Sequence, residues 1–434
     1  MIFMHYKDLI VGKDTLVKTA RGKVVKYVNF DNAATTPAFI KVANDINKFL
    51  PYYSSVHRGM GIKSQLTTKA YERGRELVGE FLNFNLSEYD VIFVKNTTEA
   101  INKLSNMLLQ KYSDKIVLST FMEHHSNDLP WRKFKIDYIR VDSKGMLILE
   151  DLEKKLKDYN GKVGIVAVTG ASNVTGYKNP AHKIAKLVHS YGAKLLVDGA
   201  QLIPHCPFDI NGIAKDEYID FAAFSAHKMY APFGTGVLIV RKDELKDIEP
   251  DYKGGGTVDM VTHDFVKWSD TPEKDEAGSP NVLGVVALSS SIEMLRALGM
   301  KNIENYEKNL QMYICKKISK IPGIQIYSEY CSNSVSIITF NVEGMYHETV
   351  SKALSYEYGI GVRSGCFCAH PYIQELLKVP KEEVMENINN KFWRKPGMIR
   401  VSFALYNTFD EIDYFIYALE NILKRKEYFI NKYD

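Results

Sequence analysis

From about residue 90 to 242 short apolar runs alternate with helix-like segments, and that alternation narrows the fold more than any other feature of the chain. The runs are "VIFV" (91–94), "KIVLST" (115–120), "VGIVAVTG" (163–170), "KLLVD" (194–198), "DFAAFS" (220–225) and "GVLIV" (236–240). Between several of them lie helix-like segments, 99–110, 150–158 and 181–190. Strands that are apolar almost without interruption have both faces covered, so the pattern implies a mostly parallel α/β sheet with helices on either side. Such sheets bind ligands beyond the carboxyl ends of their strands. The residues that follow each run are therefore the ones to read for function.

The rest of the chain reads as a second lobe. "KGGGTV" (253–258) and the polar stretch to "EAGSPN" (276–281) read as a long loop. Helical patterns follow at about 282–298 and 301–320, then strand candidates "VSIITFNV" (335–342) and "MIRVSFAL" (398–405), and a terminal helix from about 408. Residues 381–396 are polar and irregular, as in a surface insertion. The expected division is a large α/β domain over 30–290 and a smaller α+β domain made of 1–29 with 291–434. A chain of 434 residues is long enough for both. The net charge of +4 is spread along the sequence, so no nucleic-acid partner is expected. No apolar run approaches a membrane span, and "MIFMHYKDLI" carries neither a long apolar core nor a cleavage site, so neither membrane association nor a signal peptide is expected. Five scattered cysteines make no disulfide framework, which points to a reducing cytoplasm.

Four strand ends carry candidate chemistry. After "VIFVK", Asn96 and Glu99 have capping-box spacing, and Thr97 and Thr98 put hydroxyls at a helix N-terminus, either an ordinary cap or an anion site. After "KIVLST", His124 and His125 are structural or catalytic. After "KLLV", Asp198 is a carboxylate that an apolar strand end makes costly without a partner, which a salt bridge, a cap or a ligand would supply. After "DFAAF" come Ser225, His227 and Lys228, then a Gly-rich turn. That lysine is a solvated surface charge or a nucleophilic amine with a pKa lowered by burial. One ligand suits all four: an amine bonds its carbonyl, a carboxylate pairs with its ring nitrogen, a histidine stacks, and hydroxyls at a helix N-terminus hold its phosphate. That ligand is pyridoxal 5'-phosphate, an electron sink.

The pattern resembles the class V branch of fold-type I pyridoxal-phosphate enzymes, within it the cysteine desulfurase and selenocysteine lyase group. The resemblance runs in order through "FDNAATTP" (30–37), "SSVHRG" (54–59), "NTTEAIN" (96–102), "MEHHSN" (122–127), "ASNVTG" (171–176), "VDGAQ" (197–201), "SAHKMYAPFGTG" (225–236), "EAGSPN" (276–281), "RSGCFCAHP" (363–371) and "IRVSFALYNT" (399–408). It implies a large domain with a seven-stranded type of sheet. It also implies that Lys228 carries the cofactor, that Asp198 partners the pyridine nitrogen, that Gln201 meets the ring hydroxyl and that His124 stacks on the ring. Thr97, Thr98, Ser225 and His227 would bind phosphate, joined by Ser279 from a partner subunit of a homodimer. Asn173 would approach substrate and ring, Arg400 would hold the substrate carboxylate as a fork, and Arg363 and His57 would line the pocket.

The stretch "GVRSGCFCAHPY" (361–372) sets Cys366, Cys368 and His370 at alternate positions. Zinc takes about four ligands and no second cluster supplies the fourth, so no metal is expected. A Cys366–Cys368 disulfide would close a small, strained ring. Cys206, Cys315 and Cys331 read as structural. In relatives the nucleophilic cysteine lies five residues after the arginine matching Arg363, and that position here is Cys368. The spacing resembles the second desulfurase group. The chain departs from that group at Cys366 and Phe367, where two histidines are commoner, and at His370, where relatives usually carry an uncharged residue. Cys366 is a small buried residue or a sulfur relay. The resemblance implies a desulfurase acting on L-cysteine, with a persulfide on Cys368 passed to an acceptor protein that serves iron–sulfur cluster assembly, tRNA thiolation or selenium recycling. The alternatives are a class V lyase, epimerase or aminotransferase acting on another amino acid, and a non-catalytic sulfur-relay subunit.

Overall fold

The computed structural model describes residues 6–328 and 333–434. Seven strands form one sheet in the order Tyr89–Val94, Gly236–Arg241, Phe221–Ser225, Lys194–Asp198, Val163–Thr169, Ile116–Thr120 and Lys135–Ile139. Neighbours run parallel except at Gly236–Arg241, which is antiparallel to both strands beside it. All six apolar runs are strands of this sheet. The seventh, Lys135–Ile139, was not legible as an apolar run. It is an edge strand in which only Ile139 is buried, and Asp137 is tied by Lys155 at 2.6 Å and Tyr159 at 2.9 Å. An edge needs one covered face and tolerates charge.

Alternate residues of the central strands feed two different cores. Val166, Val168, Leu195, Val197, Ala222 and Phe224 face one side, packed against the helices Ala181–Ser190 and Val282–Leu298. Ile165, Ala167, Leu196, Phe221 and Ala223 face the other, under Ile101, Leu104 and Leu108 of the helix Thr97–Tyr112. Each fully buried Val, Leu or Ile contributes about 1.5–3 kcal/mol, and a charge at Val166 or Leu196 would have no water on either face. This two-sided burial is why the runs are continuous rather than alternating.

The smaller lobe is a four-stranded sheet in the order Ile324–Ile326, Ile337–Val342, Met398–Ser402 and Arg363–Gly365, every pair antiparallel. Helices Met300–Ile318, His347–Tyr358 and Phe409–Lys424 pack on it around Phe340, Phe415 and Ile399. The residues before 30 divide between the lobes. Ile10 is buried in the larger core, whereas Val28 and Phe30 join the smaller one. Two stretches are more ordered than their composition suggests. The 253–281 loop contains a hairpin, Val258–Val261 with Val266–Trp268, and the 381–396 insertion contains the helix Lys381–Asn387. Cys331 lies outside the described residues. Among the described residues no single helix is long and apolar enough to cross a membrane.

Candidate active site

The carboxyl ends of the parallel strands meet at one edge of the sheet, and the register brings their last residues level: Thr169 pairs with Asp198, and Asp198 with Ala223. The antiparallel strand enters there too, with Gly236 opposite Val94 and Ser225. A Cβ on Gly236 would stand 2.6 Å from Asn96 Cα, so only glycine lets this strand approach the start of the helix Thr97–Tyr112. Asn96 caps that helix, its side chain accepting from Glu99 N–H at 3.0 Å. Glu99 reaches back to the Lys95 N–H rather than to Asn96, a variation on the box expected from the spacing. The Thr97 N–H donates to Ser225 Oγ at 2.8 Å, and the two hydroxyls also lie 2.8 Å apart.

A cavity of about 230 Å³ opens at this edge. Thr97, Thr98, His124, Asn173, Asp198 and Gln201 line it, as do Ser225, His227, Lys228, Arg363, Cys368 and Arg400. Ser279 and His57 do not. Within one chain they line a separate cleft, and His57 is turned toward Glu72 at 3.0 Å. Within one chain His57 therefore stands apart from the Lys228 pocket, because the "SSVHRG" segment packs beside the 276–281 loop.

The lysine turn is held from the N-terminal "FDNAATTP" segment. The His227 carbonyl accepts from Thr36 N–H at 2.9 Å and Thr35 Oγ1 at 3.0 Å, and Thr36 Oγ1 accepts from Tyr230 N–H at 2.8 Å. Burial lowers Lys228 to about 8, partly offset by the charge of Asp198. Burial raises Asp198, whose Oδ1 accepts from Ala200 N–H at 3.0 Å and which has no ion-pair partner among the described residues. Burial, reinforced by Lys228, lowers His124 to about 3. His124 Nδ1 accepts from Ser126 N–H at 3.1 Å, which leaves the ring proton on Nε2. Burial likewise lowers His227 to about 4. The site thus holds neutral imidazoles and a lysine poised to release its proton near neutrality.

Three participants escaped the sequence reading. Asp31 pairs with Arg400 at 3.1 Å and stands 3.7 Å from Arg363. The strand register explains the pairing, since Arg363 lies opposite Arg400. Ser126 bridges His124 Nδ1 at 3.0 Å and Thr98 Oγ1 at 2.7 Å. Phe367 lies under the Arg400 guanidinium at 4.9 Å. Asp31 and Ser126 sit inside quoted motifs, but nothing local distinguishes them from cap residues.

The alternating stretch has divided roles. Cys368 is exposed and lines the cavity, Cys366 is half-buried among apolar neighbours including Phe367 and Met122, and His370 begins the helix His370–Leu377. The turn is pinned from within the pocket, because Asn173 Nδ2 donates to the Phe367 carbonyl at 2.7 Å.

The comparisons with known proteins agree with this geometry. The aminotransferase class-V family profile matches residues 28–415. A probable cysteine desulfurase of Halalkalibacterium halodurans is 34% identical over 412 residues, covering 93% of this chain and 94% of the relative. A cysteine desulfurase of Escherichia coli O8 is 31% identical over 417 residues, covering 94% and 95%. Among solved structures, the apo cysteine desulfurase of Thermococcus onnurineus NA1 superposes with a TM-score of 0.82 at 30% identity, covering 92% of this chain and 95% of that one. With a profile match over most of its length and relatives above 30% identity that span it, the chain belongs to the aminotransferase class-V family.

Proposed function

We propose that the protein is a pyridoxal-phosphate-dependent cysteine desulfurase that converts L-cysteine to L-alanine and retains the sulfur on Cys368. The observation that carries this reading is the exposed Cys368 thiol on the wall of the same cavity as Lys228, Asp198, His124 and Arg400.

The class-V family depends on pyridoxal phosphate, and the donor set fits that group. Among the described residues Asp198 is a buried carboxyl with no ion-pair partner, and Gln201 Oε1 is a buried acceptor with no hydrogen-bond donor. Thr97, Thr98, Ser225 and His227 gather at a helix N-terminus suited to a phosphate. When bound, pyridoxal phosphate supplies an electron sink for the charge left at the substrate Cα. Lys228, freed of its proton near pH 8 by burial, takes the Cα proton. Asp198 would hold the proton on the ring nitrogen, and His124 would meet the ring as a neutral imidazole. Arg400, steadied by Asp31 and by the Asn173 carbonyl at 2.8 Å, offers its fork to the substrate carboxylate. The Cys368 thiolate then attacks the substrate sulfur. An S–S bond forms, the C–S bond breaks, and its electron pair stays with the carbon fragment, which gains a proton at Cβ, recovers the one lost from Cα and leaves as alanine. A small thiol or an acceptor protein collects the outer sulfur by exchange.

The reading includes a homodimer in a reducing cytoplasm, in which Ser279, set apart from the Lys228 cavity within one chain, would complete the phosphate cup of the second copy. The test is product analysis with L-cysteine and a reducing thiol. Alanine should form in step with sulfide, and Cys368→Ala should keep the bound cofactor but form no persulfide. Pyruvate as product, or full turnover by Cys368→Ala, would overturn the reading.

A further inference from the structure

The turn that carries Cys368 is one the backbone does not adopt unaided. Phe367 and Cys368 have φ of 51° and 55°, two consecutive non-glycine residues in the left-handed region. The helix that follows starts at His370, and its N-cap residue Ala369 supplies no side-chain cap. His125 serves both needs. Its backbone N–H donates to the Cys368 carbonyl at 2.7 Å. Its ring Nε2 accepts from the His370 backbone N–H at 3.3 Å and lies 3.1 Å from His370 Nδ1. The two rings are nearly parallel, at 6°, with centroids 4.9 Å apart. A single residue thus grips both sides of the turn. Its chain neighbour is His124, which lines the cavity.

We propose that His125 and His370 form a clamp of two neutral imidazoles that positions the Cys368 turn against the pocket, and that protonation opens it. The bond needs His125 Nε2 as acceptor and His370 Nδ1–H as donor. A proton on Nε2 makes both nitrogens donors and sets two positive rings face to face. The groups around the pair discourage that charge at neutral pH. His125 faces His370, Asp128 and Arg132, with His124 beside it, and Asp128 is already engaged by Arg132 at 2.6 Å. His370 faces Lys395. Burial, then the facing His370 for one ring and Lys395 for the other, hold both rings below the usual histidine value against the opposing charge of Asp128, so the clamp stays shut at neutral pH and opens in acid. His125 and His370 are positioning residues, because neither lines the cavity.

The inference rests on Cys368 being the reacting thiol, so one readout is independent of turnover. In the holoenzyme, Cys368 labelling by iodoacetamide is followed by peptide mass spectrometry, and alanine formation is measured across pH. His370→Ala should change the labelling rate of Cys368 and lower kcat by about three- to tenfold, with KM little changed, as expected for loss of one hydrogen bond. His370→Asn, which keeps a donor at the Nδ1 position, should rescue kcat, and His125→Gln, which keeps an acceptor at the Nε2 position but cannot titrate, should lack the acid limb of the wild-type profile. The clamp is overturned if His370→Ala matches wild type in labelling and kcat, or if His125→Gln keeps the same acid limb. If wild type makes no alanine, the desulfurase reading fails, and the labelling comparison still decides the clamp.

Discussion

Replacing Glu276 with alanine should destabilise the protein by about 3–5 kcal/mol, the cost of leaving a buried ion without its partner. Only 5% of the Glu276 side chain is exposed. Its two oxygens accept from both terminal nitrogens of Arg75 at 2.8 Å, from the Tyr71 hydroxyl at 2.7 Å and from the Phe93 N–H at 2.5 Å. Without it the hydrogen-bond acceptors left to the buried Arg75 guanidinium among the described residues are Glu72 and the Val91 carbonyl. An unfolding entropy of about 2.1 cal/mol/K per residue gives roughly 0.9 kcal/mol/K for the whole chain, so Tm should fall by roughly 3–5 °C. Calorimetry on the cofactor-loaded protein reads this directly. A fall below about 1 °C would show that the ion pair is not an anchor and refute the argument. Glu276→Leu combined with Arg75→Met should recover most of the loss, because it removes both charges while keeping the volume. The loop that Glu276 anchors also carries Ser279, so in the proposed homodimer the single variant should bind cofactor more weakly as well.

Cofactor-free protein should take up pyridoxal phosphate faster as pH rises through about 8, where Lys228 loses its proton. Stopped-flow visible absorbance checks this, and a rate flat across that range counts against a buried, depressed lysine. Burial raises Glu123 to about 8 from 4.5, so the folded protein holds a proton there that the unfolded chain has released. That stabilisation is complete below about pH 4.5 and is lost as pH rises through about 8, so Glu123→Gln should flatten the decline of Tm over that window. Asn173→Ala leaves the buried Phe367 carbonyl without its donor, at a cost of about 1–3 kcal/mol. Amide exchange in residues 366–370 should quicken, and unchanged protection would show that the turn is held elsewhere.

How much was legible can be judged residue by residue. The strands Val163–Thr169 and Lys194–Asp198 were visible because two-faced burial leaves an unbroken apolar run. Lys135–Ile139 was not, because an edge strand carries no such run. Asp198, which ends a strand, and His124 and Lys228, which follow one, were legible as cavity residues because the ligand edge of such a sheet is known from topology alone. The roles of Asp31 and Ser126 were hidden, since each looks like any polar residue near a turn.

By itself the sequence determined the layered sheet, the edge at which ligands bind and the identity of the motifs arriving there, because strand periodicity and strand-end residues are local properties of the chain. Only the tertiary structure decided what holds those motifs in place. The Asp31–Arg400 contact spans 369 residues and the His125–His370 contact spans 245. Such pairs depend on strand register and lobe packing, which no local pattern encodes. The same is true of His57 and Ser279, which packing sets within one chain in a cleft apart from the Lys228 cavity.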